Sequence, residues 1–168
     1  MFYRFHCQMK KMLGQLEGWL GAAETHAQSK GFDPNVLIGS RLAPDQFSFV
    51  QQVQAACDTA KQATARLTAK DAPSHPDTET TFDELRARIR SVTAYLDGIS
   101  EADYAEAATR VITTPRWQGK VMSGADYFME HAVPNFFFHL SHVYALLRHA
   151  GVHLGKRDYL GQLSMRAP

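Results

Sequence analysis

Cysteine is scarce in this chain, with two in 168 residues. Cys7 and Cys57 show no CxxC spacing and have no further partners, which excludes a disulfide framework and leaves buried thiols in a reducing compartment as the expectation. Long apolar runs are also missing. No stretch approaches the roughly 20 apolar residues of a membrane span. The N-terminal MFYRFHCQMKKML is broken by Arg4, His6, Gln8, Lys10 and Lys11, unlike the continuous apolar stretch of a secretory leader. Nor is there an excess of one charge. Eighteen Lys and Arg face 17 Asp and Glu, so no global field steers the chain to nucleic acid or to an anionic membrane. GxGxxG, P-loop, GxSxG and HExxH patterns do not occur, which removes the common nucleotide, acyl-transfer and zincin signatures. These absences describe a cytoplasmic protein with neither nucleic-acid nor membrane partners.

What the chain does have is apolar periodicity. With 45% apolar and 11% aromatic residues, 168 residues are enough for one core and one domain. Phe2, Phe5, Met9, Met12, Leu13, Leu16, Trp19, Leu20, Ala23 and Ala27 recur at helical spacing and predict a first helix ending near Gly31. After the turn-rich GFDPNVLIGSRLAPD, Pro44 and Asp45 suit the first turn of a second helix. Its buried face would be Val50, Val53, Cys57, Ala60, Thr64 and Leu67. KDAPSHPDTET is a connection. Thr80 or Thr81 with a carboxylate three residues on resembles a capping box, and Phe82, Leu85, Ile89, Val92 and Leu96 form the stripe of a third helix closed by Gly98. Arg86, Arg88 and Arg90 read as a solvated face of it. From Tyr104 to Val121 β-prone residues predict a short hairpin or extended crossover. Ser123 or Asp126 then caps a fourth helix, kinked at Pro134 or preceded there by a short helix carrying His131. The glycine-rich tail after Gly151 does not extend the bundle. The sum is an all-α four-helix bundle with a short hairpin before the last helix and mostly antiparallel neighbours.

The last helix, PNFFFHLSHVYALLRHAG, is apolar on most of its circumference, which marks it as buried. On a wheel of about 100° per residue, Asn135, His139, His142 and His149 share one arc of about 80°. Buried imidazoles and amides need partners, a metal or a wet pocket, so this row locates a site. His139 and His142, three apart, can reach one ion, and His is a common ligand of zinc or nickel. A third ligand would come from His26, Asp45, Asp58 or His75. His149 suits free carbonyls at the helix end, and Cys57, mid-helix among Val53, Ala56 and Ala60, reads as an inert thiol.

RLAPDQF, QVQAACDTAK, PNFFFH, LLRHAG and GKRDYLG, in that order, resemble an uncharacterised domain-of-unknown-function family placed among the DinB/YfiT-like metalloenzymes. The resemblance implies the DinB-like fold. It also implies a divalent metal held by one histidine of the second helix and two at i, i+4 on the last, by comparison with the superfamily. Here those last two positions carry Asn135 and His139. The second helix offers Gln54, with Asp58 one turn later, and no histidine between Gln46 and Leu67, a departure at two of three ligands. The metal-free alternative is a satisfied polar network of Asn135, His139, Gln54 and Asp58.

Three functional readings follow from these residues. The first is a metal-dependent hydrolase or thiol transferase by resemblance, with one zinc or nickel ion at His139 and His142. The second is a pocket for a small organic molecule, lined by Asn135, His139, His142, Gln54, Asp58 and His26 and walled by Phe136, Phe138, Tyr127 and Trp19. The third is a homodimer, as DinB-like proteins commonly form, using the Phe2, Tyr3 and Phe5 cluster and the Asp158, Tyr159, Leu160 tail.

Overall fold

In the computed structural model, which describes residues 1–167, helix α1 spans Phe2–Lys30 and stops at Gly31, whose φ of 73° lets the chain turn off the helix. A 3₁₀ turn, Pro34–Gly39, follows, with the Asp33 side chain accepting from the Asn35 N–H at 2.9 Å. Helix α2 is Phe49–Thr68, not begun at Pro44 as expected. Ala43 to Gln46 close a separate turn, and Gln51 Oε1 takes hydrogen bonds from both the N–H and the hydroxyl of Ser48. A reciprocal cap at Ser48 outcompetes a proline start four residues earlier. Helix α3 is Phe82–Asp97, entered through the Thr81 and Glu84 capping box and left at Gly98.

The predicted hairpin is present as β1 (Val111–Ile112) and β2 (Met122–Ser123), antiparallel, with Val111 opposite Ser123. It runs into a single helical rod made of α4 (Gly124–Asp126), a π-helical stretch Tyr127–Ala132, and α5 (Val133–His149). Pro134 stands in the first turn of α5, directly after the distinct π-helical stretch that carries His131. A proline ring clashes with the carbonyl four residues back, and the wider π turn just before it, where the Val133 N–H reaches Phe128 O, absorbs that conflict. Gly124 enters the rod against the wall of the preceding loop, where a Cβ would lie 1.8 Å from Ala107 O.

Side-chain pairs give the helix directions. Lys10, Glu17 and Glu24 of α1 pair with Asp97, Arg90 and Arg86, so α1 and α3 are antiparallel. His139 meets Gln52 and Tyr127 meets Arg66, so the last rod is antiparallel to α2. Phe49 stacks on Phe82 while Asp58 meets Arg88, so α2 and α3 are parallel neighbours. Phe5 with Phe136, and Trp19 with Tyr144, make α1 and α5 parallel as well. Two of the three consecutive pairs, α1/α2 and α3/α5, are thus antiparallel as expected, and α2/α3 is the parallel exception. The connection 69–81 explains it. Thirteen residues reach about 40 Å extended, more than the roughly 30 Å length of a 20-residue helix. The chain returns along the bundle before α3 begins.

Between the four long helices Leu13, Leu16 and Leu20, Val53 and Cys57, Leu85, Ile89 and Val92, and Phe136, Leu140 and Val143 form one core. Each fully buried aliphatic side chain contributes about 2 kcal/mol. A second cluster, Leu67, Tyr104, Ile112, Tyr127 and Phe128, fastens the hairpin to the end of α2.

The returning strap is held by charge. Arg88, with a side chain 1% exposed, donates to Asp58 (2.6 Å), Glu79 (2.8 Å) and Asp77 (2.9 Å). Lys61 Nζ pairs with Asp58 and donates to His75 Nδ1, both at 2.9 Å, which leaves the His75 Nε2–H to meet Ser91 Oγ. Reading Arg86, Arg88 and Arg90 as one solvated face is thus wrong for Arg88. The surfaces nominated for a dimer are also used internally. Phe2 and Phe5 pack edge-on against Phe128, and Tyr159 of α6 (Lys156–Leu160) stacks on Trp19 at 5.5 Å.

Candidate functional site

A cleft of about 490 Å³ opens between α2, the last rod and the hairpin loop. One face of α2 forms its floor, with Gln51, Gln54, Asp58, Thr59, Gln62 and Arg66 following one another at helical spacing. From the antiparallel rod, Tyr127, His131, Asn135 and His139 enter it at four-residue intervals. The π turn supplies the first two, so the local distortion is part of the cleft wall. Phe47 closes one end, and Thr114 to Trp117 of the hairpin loop close the other.

His139 is the most constrained group. It is 9% exposed, and Phe47 stacks over it with centroids 6.0 Å apart. The Gln52 amide donates from Nε2 to Phe47 O, so its Oε1 must be the acceptor facing His139 Nδ1, at 2.8 Å. The imidazole proton therefore sits on Nδ1. Nε2 keeps its lone pair and has no partner among the described residues. Burial, with a smaller push from His142, lowers this imidazole to about 4, so it is neutral at pH 7.

Farther along, Asn135 Nδ2 donates to Thr59 Oγ1 at 2.7 Å, and that hydroxyl donates in turn to Ala55 O. Gln54 Nε2 donates to Glu79 Oε2 at 2.8 Å. At the far end Arg66 donates to Tyr127 OH at 3.0 Å. His131 lies flat on Tyr127, with ring centroids 5.3 Å apart, and edge-on to Trp117. Burial and then the Arg66 charge lower His131.

Of the residues predicted from sequence, Gln54, Asp58, Asn135 and His139 come together in this cleft. His142 does not join them: its Nδ1 bonds the Phe138 carbonyl of its own helix at 2.7 Å. His26 sits elsewhere, beside Phe32 and Gly151. Of the proposed walls only Tyr127 serves. Trp19 and Phe136 are core, and Phe138 points outward, 54% exposed. Sequence reasoning missed Phe47, Gln52, Arg66, Arg116 and Trp117. Gln52 and Arg66 lie on the floor helix, but the hairpin residues carry no periodic signal.

A zinc or nickel centre needs three or four nitrogen, sulfur or anionic oxygen donors. The cleft offers the free Nε2 of His139 and, eight residues away along the rod, the unpartnered Nδ1 of His131, beside carboxamides, and its Asp58 carboxylate is engaged by Arg88 and Lys61. No group of three His, Cys, Asp or Glu among the described residues is arranged to hold an ion. The donor set does not fit such a metal. A thiol nucleophile fits no better, because burial pushes Cys57 up to about 12.

Comparison with known proteins places these features in context. A family model described as a domain of unknown function, DUF1993, matches residues 2–160. A crystal structure of a DinB family member protein from Shewanella denitrificans is 52% identical, with a TM-score of 0.94, over 97% of this chain and 93% of that one. No curated protein matches. No helix among the described residues is long and apolar enough to cross a membrane.

Proposed function

The chain belongs to the DUF1993 family, with a DinB-like helical fold, and from that premise we propose that it binds a small organic molecule in the α2/α5 cleft without a transition metal. His139 Nε2 acts as the acceptor for an O–H or N–H of the ligand. The observation that carries this reading is the Gln52 lock on Nδ1, which presents one neutral, partnerless nitrogen in a cleft of ligand size. A hydrolase or thiol transferase would need an activated water or thiolate, and neither the donor set nor Cys57 favours one.

The test starts with protein purified without a histidine tag. Metal content should be far below one ion per chain, and chelator should leave the melting temperature unchanged. Long-range nitrogen NMR should find His139 as the Nδ1–H tautomer, and small-molecule fragments that perturb its Nε2 signal should lose affinity about tenfold in His139→Phe. Stoichiometric zinc or nickel, lost in His139→Ala, would overturn the reading.

A further inference from the structure

The two ends of the cleft differ in charge. Near His139 the walls are neutral amides and the Phe47 ring. At the hairpin end are two guanidinium groups, Arg66 and Arg116, and neither has a carboxylate partner among the described residues. The two carboxylates in the same walls pair with other cations and not with these two arginines. Asp58 and Asp77 are both bound by Arg88, itself buried behind the floor. The titrations of Tyr127 and His131 are perturbed by burial and by Arg66, with no carboxylate contribution. This corner thus holds positive charge paired with neither carboxylate.

Arg66 is also held in place. Tyr127 OH accepts from its Nη1 at 3.0 Å, which leaves its other N–H groups as a fixed planar fork. Such a fork matches the two oxygens of a carboxylate or phosphate. Trp117, half-buried, stands beside it with Tyr127 6.1 Å and His131 5.9 Å away, both edge-on. A planar ring placed there meets an indole, and its acidic substituent meets the arginines.

We infer that the hairpin end of the cleft recognises the oxyanion of a small aromatic acid, a carboxylate or a phosphate monoester, through Arg66 and Arg116, with the ring against Trp117. This rests on the cleft being a ligand site, as proposed above.

Calorimetric titration of the intact protein with benzoate, phenyl phosphate and benzamide tests it, together with the Trp117 indole N–H signal identified through Trp117→Phe. One or both anions should bind saturably and shift that signal but not Trp19, and benzamide should bind at least tenfold more weakly. A response to benzoate alone, or to phenyl phosphate alone, decides which oxyanion is read. Arg116→Ala, an exposed position, should weaken the anion at least threefold, and Arg66→Gln about tenfold. Should Arg66→Gln fail to fold, Arg66→Lys, which keeps the charge without the fork, should still weaken it. Equal binding of benzamide, or indifference to Arg116→Ala and to the Arg66 variants, overturns the oxyanion assignment alone. If the fragment tests of the cleft also come up empty, absence of binding by all three probes overturns the ligand-site reading with it.

Discussion

Replacing Arg88 with Met removes the cation that holds the 69–81 strap while keeping most of the side-chain volume. Three carboxylates lose a partner, but not equally. Asp77 is 61% exposed and relaxes into water, and Asp58 keeps Lys61 at 2.9 Å. Glu79, 10% exposed, keeps only the Gln54 amide at 2.8 Å. Breaking a buried pair costs about 3 to 5 kcal/mol. With one truly buried carboxylate stranded, the low end applies, about 3 kcal/mol. For a chain of this size that is a fall of about 6 to 12 °C in Tm. Urea unfolding followed by circular dichroism measures it directly. Arg88→Met combined with Glu79→Gln removes the stranded charge and should recover about half of the loss, a coupling readable in a double-mutant cycle. The deficit should also depend on pH. Burial pushes the Glu79 carboxyl up, but its hydrogen bonds from Arg88 and Gln54 outweigh that and hold it below its ordinary 4.5. Its stabilisation is present above that pH and lost as pH falls through the lower value. A loss under about 1 kcal/mol, or no recovery in the double variant, would refute the argument.

Three further outcomes are expected. Because the His139 imidazole is lowered from 6.5 to about 4, the unfolded chain binds the extra proton first, so stability should decline as pH drops from about 6.5 towards 4, by up to about 3 kcal/mol. Urea titrations of His139→Gln should lack that portion of the decline, and an unchanged pH profile would contradict the burial of this ring. Gly124→Ala drives a Cβ into Ala107 O and should cost about 2 kcal/mol, seen as a lower urea midpoint. A thiol reagent should modify one cysteine quickly in the folded protein, Cys7, which is exposed, while Cys57 reacts only on unfolding. Two equally fast thiols would contradict this assignment.

How far the residues announced all this depends on range. The α3 stripe and its Thr81 cap are local, within one or two turns, and they appear as read. Asn135 and His139 were legible because a polar row on an apolar helix is costly wherever it points. His142 falls in the same arc, but that arc is wide enough to span the groove and its edge, and at the edge the Phe138 carbonyl captures the ring. Arg88 had a signal that went unused: it lies three residues after Leu85 and four before Val92, inside the apolar stripe rather than outside it. Its partners Asp77 and Glu79 come from an irregular segment whose path no periodicity reveals. The same holds for Trp117, brought to the cleft by hairpin packing alone.

The wide turn at Tyr127–Ala132 sets two azimuths along one rod. Excising a single residue there would restore an ordinary pitch and swing everything upstream by about 100°. The indole-flanked corner would then face another direction while the imidazole of His139 stayed where it is. The rod thus works as two independently aimed sectors, and a length change of one residue, rather than any exchange of side chains, is the smallest alteration that would uncouple them.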